Sequence, residues 1–401
     1  MLSLTPKQKE LIALVGTLGR ERFAPRAAKY DREASFPFEN YADLRAHNLL
    51  ALCIPESEGG WGAEYQTYCL VAAELARYCA TTALTLNMHC ATTMWIGRMV
   101  DDLGLPQEIQ SVHAARRSAA YQRIVHHGAL HAQPFSEGNQ AAAGKQAFTT
   151  TATRSPDGWL VNGRKIFASL SGAADYYVVL ATEDKPNASA RDTLFLAIPK
   201  DAEGFSIVGD WDPLGMRGTV SRTLLMNNVF VPDELQLMPS GAYHQLAIRW
   251  PHMFLTLTPS YMGLSQAIFD FTVAYLRGEV PPMREKRRKQ PLKQAAVAEL
   301  KIMLESARAL FHTAISEAGP NPSKEARLRA YVTQYTVMET ANRMAALAVR
   351  TCGGQSILRP LPLEQMYRDS RCGSLMLPWT AELCIERLGR ESLYEPGETD
   401  D

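Results

Sequence analysis

No apolar run in these 401 residues is long enough to cross a bilayer. The amino terminus, Met-Leu-Ser-Leu-Thr-Pro-Lys-Gln-Lys, lacks the apolar stretch of a secretory leader. Both absences lead us to expect a cytoplasmic chain with no membrane partner. Neither sign of charge is in excess: Lys plus Arg number 42 and Asp plus Glu number 42, so no net field recruits nucleic acid. The basic cluster Arg284 to Lys289 reads as a solvated loop. Cysteine is sparse, 7 in all, scattered and never spaced Cys-x-x-Cys, which argues against a disulfide framework or a thiolate zinc site. His126, His127 and His131 lie close together without a carboxylate or thiol at ligand spacing, so no metal is expected there.

What is present is ordinary core material, 46% hydrophobic, enough for two or three packed units. Thr5-Pro6 starts a helix that is expected to stop near Pro25. A second helical stretch around Tyr41 to Leu50 leads into the Pro55-Glu-Ser-Glu-Gly-Gly-Trp-Gly62 turn, and from Tyr65 to Leu103 the pattern is helical throughout. After about Gly128 short β-type runs replace it: Trp159–Val161, Tyr176–Leu180, Thr193–Ile198, Thr223–Met226 and Val229–Pro232, with Asp157-Gly158 as a hairpin turn. Helical periodicity returns near Ala242, interrupted at Pro281-Pro282 and at Gly319 to Pro322. The expectation is an α+β multidomain chain: helices over 1–128, a β domain over 129–240 and helices again over 241–395.

Near the carboxyl end a helix ends at Gly353-Gly354, and Pro362-Leu-Glu364-Gln-Met-Tyr367-Arg368-Asp369 follows. Two glycines there permit a sharp turn and a close approach to the backbone. This run resembles the acyl-CoA dehydrogenase family, whose Gln-x-x-Gly-Gly-x-Gly and Pro-x-Glu-x-x-Tyr-Arg-Asp segments share its order and spacing. The order of helices, β domain and helices matches as well, so the resemblance covers residues 5 to 392. It implies a helical N-terminal domain, a β-barrel-like middle domain and a C-terminal four-helix bundle that builds a homodimer or homotetramer.

It also implies FAD, shared between two subunits. Phe135-Ser136-Glu137-Gly138 resembles the segment whose hydroxyl lies against the flavin, which assigns Ser136. Lys165-Ile-Phe167-Ala-Ser169 resembles the segment whose aromatic packs on the isoalloxazine and whose hydroxyl faces N5, which assigns Phe167 and Ser169. Read without the family, Phe167 is as well placed as a core residue of a strand. A flat ring system does need an aromatic wall and a fixed donor at its polar edge. For the pyrophosphate the nearest match to the family's arginine is Arg287, with Gln294 keeping its place beyond it. Gly353 and Gly354 would support the partner subunit's dinucleotide, and Thr380 and Glu382 match further cofactor-binding positions.

The chemistry is harder to read. Family members remove the substrate's α-proton with a Glu in a loop shortly after the Arg-Asp pair, where this chain has Leu377 or Pro378. Some relatives keep that Glu ahead of a Gly-Pro-Leu-Gly run, and the corresponding place here is Met253. The Asp and Arg that hold coenzyme A are replaced by His252 and Phe254. No catalytic residue is assigned; Glu382, His252 and Tyr261 are the candidates for a substitute base. Three readings stay open. One is dehydrogenation of an acyl thioester carried by coenzyme A or a carrier protein, with hydride passing to flavin N5 and electrons to an electron-transfer flavoprotein. The second is a monooxygenase or oxidase working with a flavin reductase and oxygen, similar to the dibenzothiophene monooxygenase group, although Gly373 and Met376 stand where that group has His. The third is a non-catalytic flavoprotein.

Overall fold

The computed structural model describes every residue except 1–2, 140, 142–145, 282–284, 396–397 and 399–401. The expected Pro282 break and the first residue of the basic cluster, Arg284, therefore lie outside the described residues.

The chain begins with helices α1 (Pro6–Leu18), α2 (Ala24–Glu33), α3 (Phe38–Ala46), α4 (Tyr65–Ala76), α5 (Ala80–Met94) and α6 (Gln107–His127). Thr5 caps α1 reciprocally: its hydroxyl accepts from Gln8 N at 3.2 Å, and its own N–H donates to Gln8 Oε1 at 3.0 Å. Two expectations need correcting here. Pro25 does not end a helix; a wide turn over Gly19–Phe23 carries the chain into α2, and Pro25 sits in its first turn, where no intrahelical N–H is required. Nor is 65–103 one helix. It breaks at Arg77–Cys79 without a Gly or Pro, where Arg77 turns out to pair with Asp270 at 2.7 Å and Cys79 becomes extended.

The middle of the chain forms strands β1 (His131–Ala132), β2 (Thr151–Ser155), β3 (Gly158–Ala168), β4 (Tyr176–Glu183), β5 (Thr193–Pro199), β6 (Phe205–Val208) and β7 (Arg222–Pro232). Among the described residues they make one sheet in the order β1-β4-β2-β3-β7-β6, with β5 added on β4. β2 and β3 pair across the tight turn at Asp157, whose φ of 59° suits a hairpin. β2 and β6 have no run of β-branched or aromatic residues long enough to be read from sequence; sheet pairing makes them strands. The β3–β7 ladder slips between Val161 and Gly163 and again between Lys165 and Ala168.

The last part contains α7 (Ala242–Arg249), a short turn over Pro251–Leu255, then α8 (Thr258–Leu276), α9 (Pro291–Ser316), α10 (Lys324–Cys352), α11 (Pro362–Cys372) and α12 (Ala381–Leu393). α10 packs against α8, α9, α11 and α12. Two glycines set how closely the parts join. A side chain at Gly263 on α8 would stand 2.0 Å from Ala73 O on α4, and one at Gly215, in the loop before β7, 2.4 Å from Arg368 O on α11. The second contact is reinforced by Arg368, which forks onto Asp31 at 2.9 and 2.6 Å, and by Asp369, which accepts from Met216 N.

Candidate functional site

A cavity of about 400 Å³ opens where the three parts meet. α5 contributes Leu84, Asn87 and Met88, with Trp95 at the wide turn that follows it. The sheet side contributes the segment Gln133 to Ser136 and the end of β3. The turn before α8 contributes Met253 and Phe254, the last residue of α11 contributes Cys372, and the segment after it contributes Leu375 to Pro378.

The second slip in the β3–β7 ladder shapes one wall. A bulge re-aims side chains, and here Phe167 takes φ 52°, a strained conformation for an aromatic residue. Its ring is 67% exposed at the cavity edge, with Trp211 edge-on at 6.5 Å. Beyond it three hydroxyls follow in line: Ser169 Oγ lies 2.8 Å from Ser221 Oγ, which lies 2.7 Å from Thr219 Oγ1. A flat group with a polar edge finds an aromatic lip and fixed hydroxyls here, so these residues fit a flavin ring system.

Beneath the wall, the Lys165 ammonium contacts Glu137 at 2.6 Å, both side chains being essentially inaccessible to solvent. Lys165 also donates to Leu180 O, and Glu137 accepts from Thr149 and Thr150. Burial pulls the Lys165 pKa down to about 8, against the raising effect of Glu137. Burial alone would raise Glu137, yet Lys165 and the threonines hold it below its ordinary value. The pair ties the Ser136 segment to β3, whose Ile166 N donates to Ser136 O at 2.8 Å.

Of the residues singled out in the sequence, Ser136, Phe167 and Ser169 line this one cavity. Arg287, Gln294, Gly353 and Gly354 do not; they cluster at the far ends of α9 and α10. Arg287 Nη1 donates to Cys352 O at 3.3 Å, Gln294 Nε2 donates to Arg288 O at 3.0 Å, and the space over Gly353 and Gly354 is open. Thr380 caps α12 by accepting from Leu383 N at 3.3 Å, and Glu382 is exposed on the first turn; neither reaches the cavity wall.

The candidate bases fare alike. His252 is buried with neither ring nitrogen hydrogen-bonded among the described residues, and burial pulls its pKa down to about 4. Tyr261 is buried, its hydroxyl donating toward Met376 Sδ at 3.8 Å. Among the described residues the titratable side chain in the wall is Cys372, whose thiol burial pushes up to about 12. Met253 and both Leu377 and Pro378 do line the cavity, so either alignment of the missing Glu leads to the same wall.

Sequence reasoning missed Asn87, Trp95, Gln133 and Ser221. Thr219 closes the run Asp212-Pro-Leu-Gly215-Met-Arg217-Gly218-Thr219, which resembles a Leu-Gly-x-Arg-Gly-Ser/Thr segment of the acyl-CoA dehydrogenase family, whereas the others are polar or aromatic residues in apolar or loop context with no spacing to mark them.

Comparison with known proteins agrees with this arrangement. Family models described as the acyl-CoA dehydrogenase N-terminal, middle and C-terminal domains match residues 5–102, 135–229 and 254–377. YdbM of Bacillus subtilis (strain 168), which carries an acyl-CoA dehydrogenase name, is 29% identical over 396 residues, 96% of this chain and 97% of its own. Butyryl-CoA dehydrogenase from Megasphaera elsdenii superposes with a TM-score of 0.81 at 22% identity, covering 98% of this chain and 100% of its own. Dibenzothiophene monooxygenase TdsC from Paenibacillus sp. A11-2 does so with a TM-score of 0.79 at 22% identity, covering 96% and 97%.

Proposed function

This chain belongs to the acyl-CoA dehydrogenase family of flavin oxidoreductases, and from that membership we propose that it is an oxygen-dependent flavin monooxygenase acting on a small, apolar substrate. One observation carries the reading. Among the described residues no carboxylate, imidazole, phenol or amine lines the cavity, and its thiol is protonated at neutral pH. Desaturating an acyl thioester requires removal of an α-proton, a step to which a positioned base contributes on the order of 10²- to 10⁴-fold. Met253, and Leu377 or Pro378, stand at the two places where the family resemblance would put such a base, and all three line the cavity.

A reduced flavin, when bound, supplies the electrons that activate oxygen. The chain's own part is to hold and shield. Phe167 and Trp211 form the aromatic lip, the Ser169–Ser221–Thr219 hydroxyls fix the polar edge, and the apolar walls from Met253 to Met376 keep water out. The cofactor we propose is FAD, its adenine half resting on Arg287, Gln294, Gly353 and Gly354 of a neighbouring copy, with Thr380 and Glu382 in support. The open space over the glycines favours this arrangement, as do the exposed apolar side chains Leu292 and Ile302 on α9, which a homodimer or homotetramer would cover. TdsC has been crystallised with FMN, so the flavin released from pure protein is the first thing to identify. A flavin reductase is the partner this reading requires, with the protein acting in the cytoplasm.

Dehydrogenation of an acyl thioester is the second reading, favoured by the dehydrogenase name of a relative that matches 97% of its own length. Anaerobic mixing of the yellow protein with acyl-CoA and acyl-carrier thioesters decides between them. The expected result is no bleaching by any thioester, with reduction by a reductase and NADH followed by oxygen uptake. Bleaching by a thioester would overturn the oxygen-dependent reading.

A further inference from the structure

Among the described residues four methionines are not buried: Met88, Met303, Met366 and Met376. Met88 and Met376 line the cavity, whereas Met303 on α9 and Met366 on α11 do not. Met88 is the one residue of α5 that is not buried. Because protein encloses the rest of that helix, the surface left to Met88 faces the cavity. Met376 arrives from the segment after α11, and the Tyr261 hydroxyl donates toward its Sδ at 3.8 Å. Tyr261 is itself 0% exposed, so that sulfur lies on the inner side of the segment.

A thioether placed here meets the by-product of oxygen chemistry first. When reduced flavin passes two electrons to oxygen and no substrate takes an oxygen atom, two protons complete hydrogen peroxide. Peroxide oxidises a thioether directly: a sulfur lone pair attacks one oxygen, the O–O bond breaks as the S–O bond forms, and the second oxygen takes the spare proton and leaves as water. Sulfur gives up two electrons and peroxide receives them. No deprotonation is needed, which separates the methionines from Cys372 in the same wall. Burial pushes that thiol up to about 12, so its reactive thiolate is scarce at neutral pH. Met216 and Met253 also belong to the wall, but at 2% and 0% exposure they are enclosed against peroxide.

We propose that Met88 and Met376 are oxidation sites of this protein: peroxide formed in the cavity turns their thioethers into sulfoxides, and the wall they then present no longer suits an apolar ligand. The proposal rests on the oxygen-dependent reading for its source of peroxide. A sulfoxide is polar, and burying its oxygen without a donor is unfavourable. At Met376 the Tyr261 hydroxyl is already in place to donate to that oxygen. The site therefore loses its hold on an apolar ligand as turnover without substrate accumulates.

The test uses the flavin-loaded protein, reduced by a reductase and NADH under heavy-isotope oxygen without substrate, with catalase present to destroy peroxide that escapes. Peptide mass spectrometry is expected to find labelled oxygen on Met88 and Met376 ahead of Met303, Met366, Met216 and Met253. The same loaded protein, left oxidised and given hydrogen peroxide from outside, should not show that preference. Binding of indane, followed by calorimetry, should weaken about fivefold or more once both residues are modified, the effect of polar groups introduced into an apolar wall. Met88→Leu combined with Met376→Leu keeps the wall apolar without sulfur and should hold its own indane affinity through the same treatment. If that variant does not fold, the labelling of the parent decides. The same preference with added peroxide, loss of the label in the presence of catalase, oxygen uptake that leaves both residues unmodified, or an equal loss of indane affinity in the variant would each overturn the proposal. Absence of oxygen uptake by the reduced flavin would instead remove the oxygen-dependent reading, and this proposal with it, so the two failures are distinguishable.

Discussion

Met253 and Pro378 stand in the wall of the same cavity, one arriving from the turn before α8 and the other from the segment after α11. Two places where relatives carry a carboxylate thus converge in this chain on a thioether and a pyrrolidine ring. Neither exchanges a proton, and it is on this pair that the proposed oxygen-dependent reading rests.

Glu382 should be dispensable to the chemistry. It is exposed on α12 and absent from the cavity wall. Glu382→Gln is expected to leave the rate of oxygen uptake within about twofold of the parent, the scale of ordinary surface substitutions. A loss of a hundredfold or more, measured with an oxygen electrode at saturating reduced flavin, would restore Glu382 as an acid or base.

Phe167 should trade stability for binding. The residue holds φ 52° with its ring largely in solvent, an arrangement that costs of order 1–2 kcal/mol and gains little packing in return. Phe167→Gly is therefore expected to raise the thermal midpoint of the flavin-free protein. The same change should weaken flavin binding by roughly three- to tenfold through loss of the aromatic wall. Scanning fluorimetry and flavin fluorescence titration read the two effects separately.

The Glu137–Lys165 pair should show strong coupling. Both side chains are buried and within 2.6 Å, so removing one strands the other. Lys165→Met or Glu137→Gln alone is expected to cost about 3–5 kcal/mol, and the double variant less than the sum. Urea unfolding of the four proteins gives the cycle. Additive losses would mean that the pair does not hold the Ser136 segment to β3.

Asp369 gives stability a pH slope of known sign. Burial pushes its carboxyl up to about 7 in the folded chain, against the backbone hydrogen bond from Met216, which lowers it. Between an unfolded value of about 4 and the folded value near 7 the native state holds a proton that the unfolded state has lost. This contribution is therefore full below about pH 4, falls as pH rises through that window by at most about 1.4 kcal/mol per unit, and is flat above it. Asp369→Asn should remove that slope. Urea midpoints at pH 5 and pH 8 for both proteins provide the check.

Several features could be read directly from residue order. The Thr5-Pro6 cap, the Asp157-Gly158 hairpin and the β-type runs from Trp159 to Pro232 are local: short-range sterics and hydrogen bonds decide them within a few residues. The same holds for the family signal in the Arg368-Asp369 region, whose side chains lock α11 to Asp31 and to the loop at Met216. Ser136, Phe167 and Ser169 sit in such segments, and all three line the cavity. The break at Gly319 to Pro322 was legible too, and separates α9 from α10, but two other helix boundaries were not. Pro25 is tolerated because a wide turn precedes it, and the kink at Arg77–Cys79 follows from a partner on α8 that no local pattern announces.

By itself, then, the order of residues determined the family, the succession of helical and β parts and the absence of an acid at two expected places, since each depends on neighbours along the chain. Only the folded structure decided that Met253, Pro378 and Phe167 share one cavity and that Glu382 and His252 stay out of its wall. Those are matters of which groups meet and which are cut off from water. Packing between segments far apart in the chain settles them, and no periodicity along the sequence encodes it.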